Sequence, residues 1–97
     1  VVILPISDKY LDYAKSIESQ LLKSNIRVFV DDRSEKVGAK IRDAELKKIP
    51  VMLITGEKEE SEDTASVRRR HKGDLGAKSV KELIPELTKE INNRRRH

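Results

Sequence analysis

The chain has 97 residues, no cysteine, and 21 Lys and Arg against 17 Asp and Glu, a formal net charge of +4. That length suits one small domain with a single core, the missing cysteine excludes disulfides and thiolate metal sites, and the longest apolar run, VVILPI, is far too short to cross a bilayer. A soluble protein in a reducing, cytoplasmic setting is expected, and a sequence that opens on a strand-like run without an initiator methionine reads as a piece of a longer protein.

VVILPI (1–6) is continuously apolar, the pattern of a strand covered on both faces. Ser7 is a candidate cap for the next helix, with Asp8 in its first turn, and Tyr10, Tyr13, Ala14, Ile17 and Leu21 recur at helical spacing as one buried stripe. Asn25 suits a left-handed stop. IRVFV (26–30) then alternates, with Ile26, Val28 and Val30 on one side, and a right-handed crossover makes this strand parallel to the first. In DDRSEKVGAKIRDAELKKIP, Ser34 or Asp32 is the expected cap of a second helix reaching about Lys48, with Val37, Ile41 and Ala44 inward. Pro50 forces the residue before it out of helical geometry, and VMLIT (51–55) reads as a third buried strand.

Gly56 opens an acidic segment, EKEESED, whose simplest reading is a solvated loop. The chain re-emerges as TASVRRR (64–70), joined too tightly for a parallel crossover and so expected to be antiparallel. Side chains two apart share a face, so Thr64, Ser66, Arg68 and Arg70 form one polar row while Ala65 and Val67 point into the core. Arg69 has the core parity and is expected to lean into water where the sheet ends. A short fifth strand near residues 75–78 leads to SVKE (79–82), a capping box for the last helix. Val80, Leu83, Ile84, Leu87 and Ile91 are its buried stripe, and Pro85 is expected to kink it. The order βαβαβββα describes an α/β fold, three layers α/β/α around a five-stranded mixed sheet with one antiparallel strand. It occupies residues 1–93, with 94–97 as a basic tail.

Basic residues gather over 33–42, 68–72 and 94–96. Arg68 and Arg70 on a strand are either charges that guard a sheet edge against aggregation or guanidinium forks aimed at phosphates and base edges. The stretch Arg33-Ser34-Glu35-Lys36-x-Gly38-x-Lys40-x-Arg42 occupies a strand-to-helix loop and the first turns of a helix, where free N–H groups and the dipole favour an anion; taken alone, ordinary capping and surface i,i+4 pairing explain it better. Its weight comes from the expectation that loop and arginine strand are neighbours on one sheet rim. Glu59, in the acidic segment, is the carboxylate placed to accept from base amino groups. Enzyme chemistry finds little: there are two histidines, His71 and His97, no G-x-S-x-G, no P-loop and no metal-ligand spacing, so no catalytic residue and no metal site are expected. PISDKY has no glycine with which to cradle a cofactor phosphate, and three aromatic residues disfavour stacking platforms.

The stretch DDRSEKVGAKIRDAELKKIPVMLITGEKE, followed by SVRRRHKGDLG, resembles the C-terminal anticodon-binding domain of class II aminoacyl-tRNA synthetases, most of all the threonyl group. Members of that group show R-N-E-K-x-G-x-K-I-R, a buried strand, G-[DE]-K-E, and V-R-x-R with a following D-L-G. Prolyl, histidyl and glycyl relatives share the fold and match less well. The resemblance covers almost the whole chain and implies a five-stranded mixed sheet with one antiparallel strand. It also implies docking of a threonine-type anticodon stem-loop, with reading of the middle guanine and the uracil after it.

On that resemblance Arg68, first of the V-R-x-R segment, is assigned to base recognition, and Glu59 matches the glutamate of G-[DE]-K-E. Arg70, Lys72 and the face carrying Lys36 and Lys40 are assigned to phosphate positioning. Ser34 replaces the usual asparagine, which loses one donor–acceptor arrangement, and Pro85 is the second departure. The resemblance further implies tRNA as partner, a catalytic domain elsewhere in a homodimeric parent chain, and ATP, Mg and Zn only in that part. The competing reading is an anticodon-domain-like module that binds protein or dimerises without anticodon specificity.

Overall fold

The computed structural model describes residues 1–33, 35–69 and 72–94, the last four through their backbone; Ser34, Arg70, His71 and the end of the basic tail lie outside the described residues. β1 (Val2–Pro5) is buried throughout. Its alternation explains the unbroken apolar run: Ile3 faces one core cluster, and Val2 and Leu4 face the other.

A single 3-10 turn (Asp8–Tyr10) precedes α1 (Leu11–Lys23), which buries Ala14, Ile17 and Leu21. Asn25 stops it with φ 61°, as expected. The Asn25 and Ile26 N–H groups donate to Leu22 O and Leu21 O, both at 3.0 Å, the paired closure of a Schellman motif. β2 is only Phe29–Val30 instead of the five residues expected, and in its parallel register Phe29 already lies opposite Val2. α2 (Val37–Leu46) starts after Lys36, later than either expected cap, and ends in a second Schellman closure at Lys48, φ 61°. β3 (Val51–Thr55) follows.

The acidic segment is a helix, α3 (Glu57–Glu62), and not a loop. Gly56 stands at its N-cap, Glu57, Glu59 and Glu60 sit in its first turn, where the dipole favours negative charge, and Asp63 closes it in the left-handed region. β4 (Thr64–Arg69) and β5 (Gly73–Ser79) form a hairpin with an irregularity opposite Val67 and Arg68, where Gly76 adopts φ 87°. α4 (Val80–Arg94) runs through Pro85, which lies on its exposed side. The reciprocal Ser79–Glu82 cap does not form: Ser79 is still paired with Thr64 in the sheet, and the Val80 N–H donates to Asp63 O at 3.4 Å.

The sheet order is β2-β1-β3-β4-β5. β1 pairs in parallel with β2 and β3, and β4 is antiparallel to both neighbours, so β4 is the one reversed strand, as expected. The larger core cluster joins the sheet to α1 and α4 through Ile3, Ile17, Leu21, Leu53, Val67 and Leu83. The smaller one, Val2, Leu4, Ala44 and Met52, lies under α2. Three layers result, and the face of β4 opposite to Ala65 and Val67 is where Arg68 emerges beside the end of α2.

Candidate nucleic-acid interface

The parallel strands β1 and β2 end at one edge of the sheet, the edge at which ligands of open α/β folds ordinarily collect. Residues 31–36 leave β2 there. Arg33 is fixed across this loop: its Nε and an NH2 nitrogen donate to the two Asp31 oxygens at 2.9 and 2.8 Å, and its other terminal nitrogen lies 2.9 Å from Asp43 Oδ2 on α2. The Asp31 hydrogen bonds, then those to Asp43, push the guanidinium pKa up from an already high value. In return, the Arg33 side-chain hydrogen bond holds the Asp31 carboxyl below its ordinary range against the opposing effect of burial. Arg33 therefore shapes the loop with both carboxylates, a role its sequence context did not indicate.

Glu35 and Lys36 are exposed, Lys36 at the N-cap of α2. With Ile6, Ser7, Asp8, Arg33 and Lys40 they line an open hollow of about 300 Å³. Lys40 corrects the expectation of a phosphate-facing side chain: it is only 2% exposed, and its Nζ donates to Pro5 O and Asp31 O, each at 3.1 Å. The signal was present in the sequence, since Lys40 stands three after Val37 and four before Ala44, on the same stripe as those apolar residues.

Glu59 is half-buried on α3, at the same end of the sheet as the loop. Arg68 is not. It pairs with Met52 in β3, which in turn pairs with Val2, so it lies level with the beginning of the parallel strands. From Met52 to Thr55 is three residues, roughly 10 Å along the strand. The expectation of one shared rim is thus corrected: loop and Glu59 form one pole, Arg68 the other, and α2 runs between them.

Arg68 and Arg69 point to opposite faces, as strand parity requires. The Arg68 side chain is 33% exposed, and its buried Nε lies 3.8 Å from Glu45 Oε1 near the end of α2, an ion-pair distance too long for a hydrogen bond. Arg69 does not lean into water: it donates to both Glu90 oxygens on α4 at 2.9 and 2.8 Å, with Glu86 at 3.8 Å. Those hydrogen bonds to Glu90 raise its pKa further. Ser34 and Arg70 belong to the expected set and lie outside the described residues.

Comparison with known proteins gives a consistent result. The family model described as Anticodon binding domain matches residues 1–90. A threonine–tRNA ligase from Clostridioides difficile (strain 630) is 51% identical over 94 residues, which cover 97% of this chain and 15% of that protein. One from Phocaeicola vulgatus is 46% identical over 93 residues, 96% of this chain and 14% of that protein. The chain thus spans about 15% of the length of such relatives. A crystal structure of the RNA binding domain of threonyl-tRNA synthetase from Cryptosporidium parvum Iowa II superposes with a TM-score of 0.85 at 28% identity, over 91% of this chain and 22% of that one.

Proposed function

The chain belongs to the anticodon binding domain family, and from that premise we propose that it reads a threonine-type anticodon on behalf of a longer threonine–tRNA ligase. Arg68 is the base-reading group, with Glu59 and the 33–36 loop, including Ser34, contacting the same RNA loop from the other pole. Glu35 and Lys36 meet its bases and backbone there, and Arg70 adds charge for phosphate. The catalytic part of the parent, a cytoplasmic homodimer in this reading, binds ATP, Mg and Zn and attaches threonine.

The observation that supports this best is the contrast between two adjacent arginines. Arg69 is spent on α4 through two short hydrogen bonds, whereas among the described residues Arg68 is engaged by one long ion pair to an exposed carboxylate. A guanidinium fork held on a strand keeps its register, and two parallel N–H donors match the acceptor pair of guanine. Exposed Lys36 adds sequence-independent attraction to phosphate.

Titration of the chain with a threonine-type anticodon stem-loop and with middle-base-swapped versions, at two salt concentrations, tests the reading. Selective binding of the threonine type is expected. Equal affinity for all loops would overturn it in favour of a module that recognises protein.

A further inference from the structure

Lys40 is a cation in a position that ordinarily belongs to an apolar side chain, on the inward stripe of α2 with Val37, Ile41 and Ala44. A buried ammonium is tolerated only when its hydrogens are used. Lys40 uses two of three on main-chain carbonyls, Pro5 O and Asp31 O, and makes no ion pair among the described residues. These carbonyls have a particular place in the sheet. The last residue pair of the β1–β2 ladder is Ile3 with Val30, and the Asp31 N–H still donates to Ile3 O at 2.9 Å, so the Pro5 and Asp31 carbonyls lie just beyond the last rung between the two strands. The ammonium adds one further tie past that bond, between the Pro5 and Asp31 carbonyls.

Asp31 is then held through three groups, the first its N–H, which donates to Ile3 O. Its carbonyl accepts from Lys40, while its carboxylate accepts from the Arg33 backbone N–H at 3.3 Å and from the Arg33 guanidinium at 2.9 and 2.8 Å. The exposed Glu35 and Lys36 follow this anchored residue, and the Arg33–Asp43 contact at 2.9 Å adds a second tie, to α2.

We propose that Lys40 is a positioning residue, a buried strut that fixes the 31–36 loop from behind and thereby governs which base the loop accepts, and that it does not touch phosphate. The claim about bases rests on the anticodon-reading function proposed above; the claim about the strut does not. Removing the ammonium frees the Asp31 carbonyl, and the loop loses its register while the core strands keep theirs.

The test compares Lys40→Met with Lys36→Ala. In Lys40→Met, amide hydrogen exchange over residues 31–36 should rise about tenfold or more, with β3 amides unchanged. Discrimination between threonine-type and base-swapped stem-loops should fall about tenfold, and the salt slope of binding should match wild type. Lys36→Ala should do the reverse: a slope lower by roughly 0.7 with discrimination kept. A Lys40→Met protein with unchanged loop exchange and a slope lowered like that of Lys36→Ala would overturn the proposal. Should that variant fail to fold, the wild-type protein decides by NMR of the Lys40 ammonium. A signal slow to exchange with water and unmoved by added stem-loop supports the strut, and one that shifts on RNA addition overturns it. If wild type discriminates among no stem-loops, the anticodon reading fails, and the exchange and ammonium measurements, made without RNA, still decide the strut.

Discussion

Arg69 on β4 and Glu90 on α4 are joined by two parallel hydrogen bonds of 2.9 and 2.8 Å, which tie the one reversed strand to the C-terminal helix. The Arg69 side chain is 17% exposed, so the pair is neither a screened surface contact nor a fully desolvated one. Bidentate geometry raises its value above that of an ordinary surface ion pair. Arg69→Met is expected to cost about 1–2 kcal/mol of stability, between the ranges for surface and buried pairs, and the cost should shrink in high salt. Urea denaturation at two ionic strengths measures both, and an unchanged midpoint at low salt would remove the pair from the stabilising contacts. Binding of RNA should be unaffected at equal folded fraction, because this arginine faces α4.

Arg68 gives the opposite pattern. Its ion pair to Glu45, at 3.8 Å between partly exposed groups, contributes little, so Arg68→Ala should change stability by less than about 0.5 kcal/mol. Its loss should cost roughly 1–3 kcal/mol against the cognate stem-loop and relax discrimination at one base. Arg68→Lys keeps the charge without the fork and should recover affinity more than selectivity. Parallel titrations with cognate and base-swapped loops separate these outcomes; equal losses on every loop would assign Arg68 to backbone attraction alone.

The difference between these neighbours was half legible in the sequence. Period-two alternation placed Ala65 and Val67 inward and Arg68 outward, and the structure agrees. The same parity put Arg69 on the core side, yet its partner lies 21 residues later on a separate helix, and no local pattern announces a contact of that range. α3 is illegible for a different reason: a helix that is polar all round shows no hydrophobic period, and its signals are a glycine cap, acids in the first turn and a left-handed close. Lys40 has the residue type of the surface and the spacing of the inward stripe of α2. At 2% exposure, spacing decided. Separation of the two poles depends on strand register, which pairing fixes and composition does not.

Asp31 makes the stability of the loop pH-dependent. Chiefly because of the Arg33 side-chain hydrogen bond, its pKa in the folded protein lies below the ordinary 3.8. A depressed carboxylate contributes stability that is present above the unfolded value and lost as pH falls through the folded one. The loss therefore falls below pH 3.8. Asp31→Asn should flatten the acid limb of a melting-temperature profile taken across this window, and an identical acid limb in the variant would show that the Arg33 contact contributes nothing to it.

Tyr13 produces the mirror image in alkali. Its hydroxyl donates to Thr64 O at 2.6 Å, bridging α1 to the first residue of β4. Burial, and then the charges of Asp63, Glu59 and Glu60, raise its pKa from 10.0 to about 12. A raised pKa contributes stability that is complete below the unfolded value and lost as pH climbs through the folded one, so the Tyr13 contribution should decline between pH 10 and about 12. Tyr13→Phe removes the titrating group together with the bond, and leaves the Thr64 carbonyl without its donor. A loss of about 1 kcal/mol at neutral pH and a flatter alkaline limb are expected together. The coupling follows from position: the three acids that disfavour a phenolate belong to α3 and its closing residue, and the bond they protect ends where β4 begins. A variant that loses neutral-pH stability yet keeps the full alkaline decline would show that another group titrates there.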